Sequence, residues 1–85
     1  MNISTHEIAT EFQKYLVERT GLEADASDPT VDWWAASGEK GTTAVRVYTC
    51  GIAAMFYLSP AECDLSIDAF RDLRIKPYID AMCAQ

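Results

Sequence analysis

Eighty-five residues, 49% of them apolar, with thirteen acids against seven bases for a formal charge of −6, describe one small acidic domain spanning 1–85. That charge repels phosphate backbones and anionic membranes, so neither nucleic acid nor a membrane is an expected direct partner, while a protein with a basic surface is. Cys50, Cys63 and Cys83 form no C-x-x-C, and His6 is the single histidine, so a disulfide scaffold, a metal site and a bound cofactor are not expected.

The N-terminal MNISTHEIATE carries early acids and no apolar signal region, which fits a cytoplasmic protein. Ser4 and Glu7 stand in the S-x-x-E spacing of a capping box. Ile8, Phe12, Tyr15 and Leu16 then recur at helical spacing, opposite Glu7, Glu11, Lys14 and Glu18. Lys14 is spaced to interact with Glu11 and Glu18. Gly21 suits a left-handed helix stop, so the first helix is predicted over 5–20. The following LEADASDPT is an acidic loop ending in an Asp28-Pro29 turn signal, and its Glu23, Asp25, Asp28 and Asp32 do not match a calcium loop.

Three strands follow. VDWWAAS alternates Val31, Trp33 and Ala35 with Asp32, Trp34 and Ala36; the turn at 38–41 leads into TTAVRVYT; and Cys50-Gly51 turns the chain into IAAMFYL. Ser59-Pro60-Ala61-Glu62 is a second capped start, and Ser66 a third. A short turn at 60–64 and a helix over 67–84, bent near Pro77, are the expected close of the chain. The predicted fold is therefore α+β: a three-stranded antiparallel meander with flanking helices, α-β-β-β-α, both helices on one sheet face.

The functional argument concerns the other face. Val31, Trp33, Val45, Val47, Ile52, Ala54, Phe56 and Leu58 are assigned inward as the more aliphatic set. Asp32, Trp34, Ala44, Arg46, Tyr48, Ala53, Met55 and Tyr57 then point outward. Trp, Tyr, Met and Arg are the residue types that concentrate at the centres of protein interfaces, so Trp34, Arg46, Tyr48, Met55 and Tyr57 are candidate partner-binding residues. Three covers remain open for this face: the segment after Pro77, a second copy, or another protein. A register slip at Cys50-Gly51 would exchange the two sets in one strand.

Chemistry finds little footing. No local signature pairs His6 with a cysteine, and Gly38, Gly41 and Gly51 read as turn glycines, so an enzyme is not expected. The acids offer a second idea. Glu7, Glu11, Glu18, Glu23 and Asp25 belong to an N-terminal acid-rich stretch able to imitate a phosphate backbone. Small phage and mobile-element inhibitors of host defence, of anti-CRISPR or anti-restriction type, work this way; the analogy is one of size and charge, with no motif match. The expected function is thus non-catalytic protein binding, in that inhibitory form or as a homo-oligomeric accessory subunit, a homodimer burying its aromatic sheet face.

Overall fold

The computed structural model describes residues 2–38 and 40–85. Helix α1 (Thr5–Thr20) is followed by β1 (Thr30–Ala35), β2 (Thr43–Thr49) and β3 (Ile52–Leu58), an antiparallel sheet of order β1-β2-β3. A short 3₁₀ turn, Glu62–Asp64, leads to a helical rod made of α2 (Ile67–Phe70), a wide π turn (Arg71–Ile75) and α3 (Lys76–Cys83). This is the α-β-β-β-α meander expected from the sequence. The turn expected at 38–41 contains Glu39, which lies outside the described residues.

The helix ends follow from local chemistry. The Ser4 hydroxyl accepts from the His6 and Glu7 amides at 3.1 and 3.4 Å, and Glu7 Oε1 accepts from the Ser4 amide at 3.3 Å. Gly21, at φ +74°, ends the helix by donating to the Val17 carbonyl at 2.9 Å. Ser59 and Glu62 form a second reciprocal box, although only the 3₁₀ turn follows it. Ser66 caps α2 through the Ala69 amide.

The rod departs from the expected helix over 67–84 in one respect. Its irregularity precedes Pro77 rather than lying at it. Proline has no amide to donate and its ring crowds the carbonyl four residues back. A wider turn just ahead of it, closed by the Lys76 amide on the Arg71 carbonyl, relieves both.

Both helical elements pack on one face of the sheet. Ile8, Phe12 and Leu16 of α1 and Phe70, Ile75 and Ile79 of the rod are buried against Val45, Val47, Ala54, Phe56 and Leu58. Phe56 is the meeting point, with ring centroids 5.9 Å from Phe12, 5.6 Å from Phe70 and 5.1 Å from Tyr78. The segment after Pro77 therefore belongs to this inner core and leaves the outer face alone. Cross-ties add to the packing: Thr49 Oγ1 donates to Gln13 at 2.6 Å, and Tyr15 to Asp80 at 2.7 Å. Glu11 is met by Arg71 at 3.9 Å, whereas Lys14, the expected partner of Glu11 and Glu18, joins no ion pair among the described residues.

The register is fixed at the β2–β3 turn. Cys50 (φ +55°) and Gly51 (φ +74°) are both left-handed, and Thr49 faces Ile52 across them. This two-residue turn has the twist that antiparallel strands require, and no slip occurs.

One inward assignment is corrected. Trp33 lies on the inner face by register, yet it is 63% exposed and outside the core. β1 is an edge strand, and Trp33 faces an open groove beside the start of α1, at Ile3, Ser4 and Thr5, so an inward direction at the margin of the sheet does not amount to burial.

Candidate functional site

Three rows cross the outer face of the sheet. Ala44 stands between Trp34 and Tyr57, Arg46 between Asp32 and Met55, and Tyr48 between Thr30 and Ala53. Ala44 is fully buried although it points away from the helices. Its methyl forms the floor between two large rings, which is why a small residue suits the centre of this face.

Arg46 organises the surface. Its guanidinium carbon lies 5.4 Å from the centre of the Trp34 ring and 5.2 Å from that of Tyr48, so the cation is stacked along both faces. Asp32, opposite it on β1, accepts from Nη2 at 2.8 Å. That hydrogen bond, aided by the neighbouring tyrosine, holds the arginine more firmly protonated than a free one. Nε is buried beneath the stack with no acceptor among the described residues. The outcome is a preformed plate of Trp34, Arg46 and Tyr48, with Met55 half-buried and Tyr57 56% exposed at its margin. All five candidate sheet residues are therefore brought together.

The acidic candidates lie elsewhere. α1 covers the inner face, so Glu7, Glu11 and Glu18 are separated from the plate by the thickness of the sheet. Glu7 is exposed and engaged with the Ser4 amide. Glu11 and Glu18 share a shallow groove of about 200 Å³ with Lys14, Tyr15, Arg71 and Lys76, so cations stand among the acids. Glu23 and Asp25 are exposed in the loop after α1.

Asp28, which the sequence places in a solvated loop, has a structural task. Its Oδ2 accepts from the amides of Cys50 and Asp25, both at 2.9 Å, and so pins the loop to the β2–β3 turn. Trp33 was also missed as a surface residue. It borders an open groove of about 520 Å³ with Ile3, Ser4, Thr5 and Thr43. No local pattern signalled this, since strand alternation gives the direction of Trp33 and not what lies above it.

Potentially reactive side chains are dispersed. His6 is exposed in the first turn of α1; Cys50 lies in the hairpin turn, Cys63 in the 3₁₀ turn and Cys83 at the end of α3, all as free thiols. Among the described residues no group of three or more metal-ligating side chains converges, and no helix is long and apolar enough to cross a membrane. Comparison of the chain with family models, curated proteins and solved structures finds no match.

Proposed function

We propose that this protein works by binding another protein through the outer face of its sheet, without chemistry of its own. The stacked plate of Trp34, Arg46 and Tyr48, flanked by Met55 and Tyr57 and left uncovered by both helical elements, carries this reading. Side chains already ordered on rigid strands lose little freedom when a partner arrives, so more of the contact energy appears as affinity. The formal charge of −6 favours a basic partner and faster encounter with it. The dispersal of His6 and the three cysteines over separate elements supports a non-catalytic role.

The narrower form, an inhibitor of a nucleic-acid-handling defence protein whose α1 acids stand in for phosphates, draws on Glu7, Glu18, Glu23 and Asp25, all exposed. It carries less weight than the sheet face because Lys14, Arg71 and Lys76 interrupt the acidic surface. One affinity experiment separates the two. Trp34→Ala with Tyr57→Ala is expected to abolish retention of a specific partner. Glu7→Gln, Glu11→Gln and Glu18→Gln together are expected to weaken it only several-fold, through lost steering. The reverse pattern, in folded variants, would move the site to α1 and overturn the sheet-face reading.

A further inference from the structure

We infer that the open edge of β1 is a self-association site, at which a second copy of this chain adds its own β1 antiparallel to form one continuous sheet across a two-fold axis. The direction of the backbone groups comes from the register. The Ala36 amide donates to the Thr42 carbonyl at 2.9 Å, so alternation along an antiparallel pair turns the even-numbered residues of β1 toward β2. The N–H and C=O groups of Val31, Trp33 and Ala35 consequently point out of the sheet. No backbone hydrogen bond among the described residues meets them.

Exposed edges are ordinarily blunted by lysine, proline, a bulge or a covering segment. β1, Thr30–Ala35, has none of these along its length, and its one charged side chain, Asp32, is already paired with Arg46. The opposite edge is treated differently: Arg74 donates to the Tyr57 carbonyl there at 3.2 Å.

Self-complementarity favours a second copy over a foreign strand. The edge-pointing backbone groups, those of Val31, Trp33 and Ala35, are evenly placed about Trp33. With Trp33 opposite its own symmetry mate, Val31 faces Ala35 and every outward donor and acceptor of both strands is used. Asp32 then faces Trp34 of the other copy. Shifting the axis to place Asp32 against Asp32 would set like charges opposite one another and draw Pro29, which has no amide, into the ladder. Trp33 is 63% and Trp34 39% exposed, and a buried tryptophan contributes roughly 150–250 Å², so four such rings offer about 300–500 Å² at most before the strands themselves are counted. Even with the strand backbones added, the contact falls below the size of most stable interfaces, which suits a weak, reversible dimer. Because each copy carries −6, association strengthens as salt screens the repulsion. Trp34 borders both surfaces, but Trp33 belongs to the edge alone and Tyr57 to the outer face alone, so the two readings are separable, and their salt dependence differs in sign: binding a basic partner would weaken with salt.

Sedimentation of the full chain between about 10 μM and about 1 mM, at low and physiological salt, tests it. The expected result is a monomer–dimer equilibrium that tightens with salt. Trp33→Lys is expected to raise the dimer dissociation constant at least about tenfold, whereas Tyr57→Ala leaves it unchanged. Amide exchange guards against a folding artefact: the amides of Val31 and Ala35 should gain protection on concentrating the unmodified chain, while the β2–β3 amides stay protected in Trp33→Lys. A monomer throughout the range would overturn the inference. So would a dimer lost on Tyr57→Ala but retained in Trp33→Lys, which would place the contact on the outer face.

Discussion

Asp28 shows how much a single carboxylate can hold in so small a molecule. It accepts two amides, one in its own loop and one in a turn 22 residues away. Removing it leaves the half-buried Cys50 amide without an acceptor, which costs about 1–2 kcal/mol. Asp28→Ala should therefore lower the urea midpoint without altering the slope, and speed exchange at the Cys50 amide specifically; a midpoint unchanged from the parent would refute the assignment. Cys50 itself offers the opposite test. A non-glycine residue at φ +55° is strained, and asparagine tolerates that region better in this kind of turn. Cys50→Asn is expected to stabilise by about 0.5 kcal/mol, roughly 2–4 °C in melting temperature, read by calorimetry. Neither role was legible in the sequence. Asp28-Pro29 announced a turn, but the turn's distant partner lies beyond the reach of any local pattern.

At the scale of elements, β3 places the two halves of the argument on adjacent residues. Phe56 points into the core and joins the sheet to α1, α2 and α3. Tyr57 points out beside Ala44. Phe56→Ala should cost about 3–5 kcal/mol, a large part of the stability of a domain this size. Tyr57→Ala should stay within about 1 kcal/mol. Chemical denaturation of the pair checks the assignment of faces, and comparable losses at both positions would contradict it. This alternation was readable because β2 and β3 carry clean period-two patterns and are covered from one side. The same rule failed for Trp33. Periodicity gives direction, whereas burial depends on what lies above the strand, and above Trp33 there is only an open groove. The capping boxes at Ser4 and Ser59 were equally legible, since each is satisfied within four residues. The π turn was not, because sequence identified proline as the cause of an irregularity but not the side on which the backbone would absorb it.

For the molecule as a whole, acid is the informative perturbant. Glu62 links the 3₁₀ turn to the rod and to β3. It accepts from the Ser59 amide at 3.0 Å and pairs with Arg74, which also reaches the Tyr57 carbonyl. Burial is the largest single influence on Glu62 and pushes its pKa up, but the Ser59 amide and Arg74 together outweigh it and hold the net value below that of a free glutamate. Asp72 is lowered as well, chiefly by its bond from Arg71. A carboxyl whose folded-state pKa is depressed binds fewer protons folded than unfolded, so its stabilising contribution is complete above the ordinary carboxylate range and disappears as pH falls through the folded value. The urea midpoint should hence be nearly level from pH 7 to about 5 and decline below about 4.3. Glu62→Gln should be less stable than the parent at neutral pH, and the gap should narrow across the range where pH falls below the ordinary carboxylate value and through the folded-state one, beneath which both side chains are uncharged. A gap that stays constant across that range would mean Glu62 contributes through shape and hydrogen bonding alone. The Arg74 bridge that closes the β3 edge would then not be the charge-dependent device described here.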